Sequence, residues 1–240
     1  SKLQVPPKAV WWYNKQQEMI KGNKSEPYSM YNRIQFMTAK WDSSTPEEFV
    51  FSSKVPGMIT HAKMLRDCAT ETRLFLKAMQ GVKKMKYLLY EFPSYFTKKD
   101  FFWDLKEYFS KMPDTYRYVA EFRSADWQTE EVEEYLDKKG IIHALSEVQN
   151  KGVTTLKESD REFLYVRLIG KHSVFKTFER AILTDTTILN EWAEKIRNAK
   201  DSIVFVNNNF AGNAPETANC LKKLVGLEPK EWKEDLKKYF

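Results

Sequence analysis

Apolar and polar positions follow two alternating patterns along most of the chain. Short runs rich in β-branched and aromatic residues predict six strands, over residues 48–55, 85–92, 117–123, 141–146, 163–169 and 202–208. Between them, apolar residues recur every three or four positions, as in Phe101, Leu105 and Phe109, which predicts helices with one buried face. Strands that alternate with such helices are typical of a parallel sheet built from βα units.

Residues 1–45 differ from the rest, because they show no clean strand pattern and only 34–41 has a helical one. We predict an α/β fold, a (β/α)8 TIM-type barrel whose first strands are divergent or missing. The prediction is a single domain over residues 1–240, with 1–45 as a divergent or partly missing N-terminal portion. A doubly wound open sheet is the alternative, because the pattern supplies fewer strands than an eight-stranded barrel needs.

The amino-acid composition indicates which partners and which cellular compartment to expect. The chain carries 39 basic and 33 acidic residues, a net charge of +6, which favours anionic partners such as phosphates or nucleic acid. No apolar run approaches the roughly 20 residues of a membrane-spanning helix, so no membrane partner is expected. Cys68 and Cys220 stand at apolar positions of predicted helices, and residues 1–12 lack a signal-peptide pattern. We therefore expect a reducing compartment and a cytoplasmic location.

Polar side chains stand at the carboxyl ends of nearly all the predicted strands. Active sites of barrels and of open parallel sheets form at these ends, because the loops there vary while the sheet holds them rigidly. The polar strand-end residues are Lys54, Glu91, Glu121, Arg123, Ser146, Glu147, Arg167, Asn207, Asn208 and Asn209.

Two interpretations fit this gathering of charges. In the functional one, Lys54, Arg123 and Arg167 hold an anionic group, and Glu121 or Glu91 acts as general acid or base. The asparagines Asn207–Asn209 would then orient the ligand. In the structural one, the same side chains form an internal ion-pair network that closes the end of the barrel without any chemistry.

The histidines and known motifs add little to this. His61 is a candidate acid, base or metal ligand, or a hydrogen-bonded helix cap, whereas His143 lies inside an apolar strand and suits a structural role. The sequence has no phosphate-binding glycine loop, zinc motif or nucleophile elbow, so it leaves cofactors and metals unknown. A metal site built from His61, Glu91 and Glu121 is a weaker alternative.

Five stretches of the chain resemble the YecE-like family, also called domain of unknown function 72. They are FSSKVPGMITH (51–61), YLLYEFP (87–93), AEFRSADW (120–127), YVRLIG (165–170) and VFVNNNFAGNAPETA (204–218). The resemblance implies a (β/α)-barrel. It also marks nine residues of this chain as signature positions of the family: Lys54, His61, Glu121, Arg123, Trp127, Arg167, Gly170, Asn207 and Asn208.

The chain departs from the family at two positions in these stretches. Glu91 stands where the family usually has glutamine, which adds a charge, and Ile169 stands where it usually has histidine, which removes a proton carrier. The resemblance implies no particular reaction. The barrel of the family is similar to phosphate-handling barrels such as those of sugar isomerases and the abasic-site endonuclease group. This is an analogy of fold alone.

The leading hypothesis is therefore an enzyme or binder that acts on a phosphate-bearing or anionic ligand at the strand ends. The second is a nucleic-acid-binding protein or a metal-assisted, endonuclease-like protein, supported by the net charge of +6 and by the aromatic side chains of Trp11, Trp12 and Trp127, which look exposed. The third is a structural barrel whose charges pair with each other. The sequence leaves open whether the protein is an enzyme and what its oligomeric state is.

Overall fold

A computed structural model describes residues 43–147, 162–170, 174–177, 180–182 and 186–230. The helix predicted over 34–41 lies outside these residues, as do Trp11 and Trp12. The chain divides into two units between Ala144 and Leu145, and each is described by itself. The first unit contains the described residues 43–144 and the second those from 145 to 230.

Strands and helices alternate in the described residues, as the pattern predicted. The strands are β1 (Phe51–Lys54), β2 (Met85–Phe92), β3 (Arg117–Phe122), β4 (Ile142–His143), β5 (Leu145–Glu147), β6 (Phe163–Leu168) and β7 (Asp201–Val206). The helices are α1 (Ala69–Met79), α2 (Lys98–Ser110), α3 (Glu130–Lys138), α4 (Thr187–Asn198), α5 (Asn208–Ala211) and α6 (Ala214–Leu224). A π-helical turn (Met58–Ala62) follows β1, and a 3₁₀ turn (Ala125–Trp127) follows β3.

All strand pairs in the described residues are parallel. The first unit has a four-stranded sheet in the order β1-β2-β3-β4, and the second a three-stranded sheet in the order β5-β6-β7. The prediction of one strand over 141–146 is wrong, because pairing ends near Ala144, whose amide donates to the Ala120 carbonyl at 2.8 Å. From Leu145 onward the chain pairs with β6 instead. The strand predicted over 85–92 is confirmed to the residue.

The core of the first unit lies between one face of its sheet and helices α1 to α3. Strand β2 is apolar on both faces, as is typical of a parallel strand covered on both sides. Tyr90 packs edge-on against Phe109 of α2, with ring centroids 5.0 Å apart, and Leu105 of the same helix is fully buried. Burial of a side chain such as Leu105 stabilises the fold by about 2 kcal/mol.

Stacked aromatic rings close this core near the carboxyl ends of β2 and β3. The Trp127 ring stacks on those of Phe96 and Phe122, and its indole N–H donates to the Phe96 carbonyl at 2.6 Å. Trp127 is fully buried. The expectation that its ring is exposed and ready to stack on bases is therefore wrong, because the indole fills the space between the sheet and the segment after β2.

The second unit repeats the arrangement with helix α4. Leu189, Trp192 and Ile196, spaced by three and four residues, are all buried against β6 and β7. They pack on the side of the sheet that carries Val166 and Val204.

The described residues therefore form an α/β fold with parallel sheets. No helix among them is long and apolar enough to cross a membrane. Closure into a single barrel over residues 1–240 stays a prediction.

Candidate functional site

Four charged side chains meet at the carboxyl end of the four-stranded sheet. Lys54 ends β1, and Glu91 and Glu121 are register partners near the ends of β2 and β3. The Lys54 Nζ lies 3.0 Å from Glu91 Oε1. Arg123 Nη2 lies 2.9 Å from Glu121 Oε1 and 3.5 Å from Glu91 Oε2. These residues are called the charged cluster below.

The alternation of side chains along a strand places the cluster on the face of the sheet opposite the helices. Tyr90 and Phe122 belong to the helix-side core, so Glu91 and Glu121, each one residue away, point to the other face. On β1, Val55 lies in the same helix-side core and Lys54 points away from it. The charged cluster therefore does not help to hold the helices on the sheet.

Burial differs sharply among the members of the cluster. The Glu121 side chain is fully buried, Lys54 and Glu91 are 10% and 14% exposed, and Arg123 is 23% exposed. A buried carboxylate needs a cation or hydrogen-bond donors to offset its lost hydration. The Arg123 guanidinium supplies one such cation to Glu121.

Arg123 uses only part of its hydrogen-bonding capacity in these contacts. Both ion pairs involve the same nitrogen, Nη2, whereas a guanidinium presents five N–H donors. Within the described residues, Nε and Nη1 make no hydrogen bond. The most exposed member of the cluster thus keeps donors for a further anionic partner.

His61 lies in the π-helical turn that follows β1. Its Nδ1 is 2.8 Å from the hydroxyl oxygen of Thr60, which is fully buried. The pKa of His61 is lowered, first by partial burial and then by the positive charges of Lys54 and Arg123, while Glu91 acts in the opposite direction. The imidazole is therefore neutral at pH 7.

The backbone around His61 has an uncommon geometry. π-helical turns inside proteins occur frequently at functional sites. Just beyond it, Met64, Leu65 and Asp67 have positive φ angles of 48°, 67° and 47°, which non-glycine residues rarely adopt. Arg66 holds this segment in place by pairing with Asp104 of α2 at 2.8 Å. Such backbone conformations persist only when surrounding contacts enforce them.

Two exposed side chains flank His61. Met58 begins the π-helical turn, and Tyr95 follows β2. They are 51% and 56% exposed, and the Tyr95 hydroxyl lies 3.4 Å from the His61 carbonyl oxygen. Thr60 and Tyr95 were not among the residues that the sequence singled out. Two features of the sequence could have indicated them: Thr60 is adjacent to His61, and Tyr95 comes just after a predicted strand.

The remaining predicted site residues belong to the second unit. Arg167 lies on β6 opposite Phe205, on the sheet face that points away from α4. Gly170 follows the same strand with a φ of +71°. A Cβ there would lie 2.1 Å from the Asn209 carbonyl oxygen, so only glycine fits.

Two of the three asparagines after β7, Asn207 and Asn208, accept hydrogen bonds from the backbone through their side chains. The Asn207 side-chain oxygen accepts from the Asn209 amide at 2.9 Å, which caps the start of α5. The Asn208 side-chain oxygen accepts from the Ala214 amide at 2.8 Å, at the start of α6. These side chains therefore shape the turn between β7 and α6.

Glu147 ends β5 but points to the helix side. It is buried, and burial raises the pKa of its carboxyl, while a hydrogen bond from the Trp192 side chain has a smaller, opposite effect. This carboxyl therefore belongs to the packing between β5 and α4.

The metal hypothesis receives no support from the described residues, where no group of three or more histidine, cysteine or acidic side chains is arranged to hold an ion. His61, Glu91, Glu121 and Arg123 are nevertheless brought together with Lys54, as the strand-end argument expected. Trp127 packs into the core, and Arg167, Gly170 and the asparagines lie in the second unit.

Parallel sheets covered by helices, one of them with a charged cluster at its carboxyl end, define an α/β protein. The family model described as "Protein of unknown function DUF72" matches residues 12–238. The chain belongs to this family. No curated protein matches the chain.

Solved structures agree in fold. A DUF72 family protein from Thermotoga maritima is 23% identical, with a TM-score of 0.61 over 85% of this chain and 82% of that one. Another, from Enterococcus faecalis, is 18% identical, with a TM-score of 0.59 over 81% and 85%. The structure of SacUVDE is 13% identical, with a TM-score of 0.53 over 85% and 76%. At these identities the likeness concerns the fold alone.

Proposed function

We propose that the protein binds a small anionic or phosphate-bearing ligand at the charged cluster, at the carboxyl ends of the strands of a (β/α)8 barrel. The observation that carries the proposal is the state of Arg123. Its guanidinium is partly exposed, and a single nitrogen makes both of its ion pairs with carboxylates. Its other N–H donors match the planar, two-oxygen edge of a phosphate, sulfate or carboxylate group.

The other members of the cluster have complementary roles in this proposal. Glu121 is fully buried, and its contact with Arg123 fixes the guanidinium at the strand end. Lys54 adds a second positive charge, held by Glu91. If the bound ligand reacts, proton transfer would use Glu91, Glu121 or His61. The proposal covers a binder and an enzyme alike.

The proposal also includes several expectations that come from the sequence alone. The participation of Arg167, Gly170, Trp127 and Asn207–Asn209 in ligand binding stays a prediction, as does a cytoplasmic location. The two cysteines, Cys68 and Cys220, are free thiols, which supports a reducing compartment.

Anion titration tests the proposal. Sulfate and a sugar phosphate are titrated into the native protein and into Arg123→Lys, which keeps the charge beside Glu121 but loses the planar fork. We expect the variant to bind at least about tenfold more weakly, a difference of about 1.4 kcal/mol.

The matched control is Arg66→Lys. Arg66 also pairs with an acidic side chain, Asp104 of α2. This ion pair is not part of the charged cluster, so replacing Arg66 should leave anion affinity unchanged. Equal affinity of Arg123→Lys and the native protein would contradict the proposal.

A nucleic-acid-binding or metal-assisted, endonuclease-like protein remains the second candidate. It is supported by the net charge of +6. The burial of Trp127 removes one of the aromatic rings that were expected to stack on bases. Oligonucleotide affinity that falls steeply with salt would favour this candidate, since contact with several phosphates releases counterions, and a flat response would count against it.

A further inference from the structure

We propose that the ligand of the charged cluster carries a flat aromatic ring beside its anionic group, and that this ring packs on Tyr95 while the anion binds Arg123. The inference rests on the proposed function and names the class of ligand at the same site, an aryl phosphate or an anion of the same shape. The binding is noncovalent, and both residues belong to the first unit.

The position of Tyr95 in the chain is the first reason. Tyr95 lies in the turn that follows β2, in which the Phe96 amide donates to the Pro93 carbonyl at 3.0 Å. Strand β2 ends at Phe92, whose carbonyl accepts from the Arg123 amide at 3.1 Å. Because consecutive Cα atoms are about 3.8 Å apart, the Cα atom of Tyr95 lies at most about 11 Å from that of Phe92. The side chains of Tyr95 and Arg123 therefore both start beside the carboxyl end of β2, close enough for one small ligand to contact both.

The direction of their contacts is the second reason. The Tyr95 hydroxyl lies 3.4 Å from the carbonyl oxygen of His61, in the π-helical turn after β1. The ion pair of Lys54 with Glu91 likewise joins the ends of β1 and β2. The Arg123 side chain extends toward the same place, because its Nη2 lies 3.5 Å from Glu91 Oε2. Tyr95 and Arg123 therefore both approach the carboxyl ends of β1 and β2.

The rigid support of the Tyr95 turn is the third reason. The ring of Phe96 stacks on those of Phe92 and Phe101, with centroids 4.3 and 4.6 Å apart, and the Phe96 carbonyl accepts from the Trp127 indole. Phe96 is fully buried, whereas Tyr95 next to it is more than half exposed. An exposed ring on a fixed turn loses little freedom when a ligand covers it. Tyr95 is therefore a preformed contact surface.

Apolar surface beside charge is the fourth reason. Two of the exposed large apolar side chains, Met58 and Tyr95, belong to the segments that follow β1 and β2. Ligand sites combine such apolar surface with a few polar groups that fix the orientation of the ligand. A phosphate or sulfate ion alone would leave this apolar surface in water, whereas an aryl group would cover part of it. Contact between two aromatic rings strengthens binding by roughly two- to tenfold beyond the burial of their area.

Phenyl phosphate and methyl phosphate are the probes for the experiment. Both esters are dianions at pH 8, because the second pKa of a phosphate ester lies near 6, so the ring is the main difference between them. Isothermal titration calorimetry measures their affinities. We expect the native protein to bind phenyl phosphate about ten times more tightly than methyl phosphate. Tyr95→Ala should lower this ratio to about two or less, whereas Tyr95→Phe, which keeps the ring, should preserve it.

Trp103→Ala is the matched control for the loss of an aromatic side chain. Trp103 is also exposed, but it lies in the middle of α2 and not in a segment that follows a strand. Its replacement should leave both affinities at their native values. Cyclohexyl phosphate is the control for the shape of the ring, because it is apolar but not flat. It should bind more weakly than phenyl phosphate, and equal affinity would contradict a site for a flat ring.

Arg123→Lys shows whether the ring and the anion bind at one site. This variant should weaken the binding of both esters by the same factor, about tenfold, because it changes only the contact with the phosphate group. If phenyl phosphate binds to Arg123→Lys as tightly as to the native protein, while methyl phosphate does not, the ring binds elsewhere and the inference is wrong.

The outcomes also separate this inference from the proposed function. If the native protein binds neither ester nor inorganic phosphate, the proposed function itself is wrong. If it binds the two esters with equal affinity, the charged cluster still binds anions but its ligand carries no ring. If Tyr95→Ala keeps both the native ratio and the native melting temperature, Tyr95 is not the residue on which the ring packs.

Discussion

The carboxyl ends of the two sheets use polar side chains in different ways. In the four-stranded sheet, Lys54, Glu91, Glu121 and Arg123 contact one another, side chain to side chain. In the three-stranded sheet, the side chains of Asn207 and Asn208, which follow β7, bond to the backbone and shape a turn. Both sets occupy the same position relative to their strands.

The side chains of the two sheets therefore differ in whether a ligand can replace one of their contacts. An ion pair at a partly exposed strand end can accept a ligand in place of one of its contacts. A side chain that satisfies a backbone amide at a helix start cannot leave that amide without cost to stability. Changes at the first sheet should therefore alter binding as well as stability, whereas changes at the second should alter mainly stability.

The largest effect is expected at Gly170. Gly170→Ala should lower the free energy of unfolding by about 4 kcal/mol or more, because the added Cβ would meet the Asn209 carbonyl oxygen at 2.1 Å in a backbone with positive φ. Urea denaturation measures this change. Gly140→Ala is the matched control: its φ is also positive, +65°, but a Cβ there meets nothing within 4 Å. It should cost about 1 kcal/mol. Equal costs would show that the close approach is relieved by movement.

A smaller loss is expected when the buried ion pair is broken. Arg123→Ala should cost about 3 kcal/mol, because the buried Glu121 then loses its ion pair with Arg123. The double variant Arg123→Met with Glu121→Leu should lie within about 1 kcal/mol of the native protein, because it removes both charges. Both should lose anion binding. A single variant as stable as the native protein would mean that Glu121 does not depend on Arg123.

The capping asparagine should have a modest effect. Asn207→Ala removes the acceptor of the Asn209 amide and should cost about 1 kcal/mol, whereas Asn207→Ser keeps an acceptor and should cost only a few tenths. Thermal and urea unfolding compare the two variants. Weaker sulfate binding by Asn207→Ser, with stability kept, would support the sequence-based prediction that this residue binds the ligand.

The smallest effect is expected at Glu147, and it depends on pH. Its pKa is raised in the native state above the ordinary 4.5, so the native protein holds a proton that the unfolded chain has already lost. The stability that this group contributes is complete below about pH 4.5 and is lost as pH rises through its native pKa. Glu147→Gln should remove this decrease. Melting temperatures of the two proteins from acid to neutral pH should therefore diverge, and parallel curves would contradict the assignment.

The sequence predicted the fold best where the local pattern determines the structure. The run 85–92 could be assigned because an apolar strand between two amphipathic helices has one simple interpretation. The division of 141–146 between two sheets could not be foreseen. It depends on which strand each residue pairs with, and local patterns do not contain that information.

The position of the candidate site could be predicted, and ion pairing among its charged residues was one of the two interpretations of the sequence. Strand-end residues such as Lys54, Glu91 and Arg123 follow from the geometry of parallel sheets. That one guanidinium nitrogen serves two carboxylates depends on side-chain conformations, and so does the burial of Trp127. The capping role of Asn207 could not be predicted, because a cap and a ligand-binding amide have the same residue type.

The hydrogen bond between the Trp127 indole and the Phe96 carbonyl joins the segment after β2 to the segment after β3. Because the Trp127 ring also stacks on those of Phe96 and Phe122, the two segments pack together as one unit. The two segments should consequently change together in evolution. An insertion in one would be tolerated only with a compensating change in the other. A loop graft intended to give this scaffold a new specificity would have to transplant both segments at once.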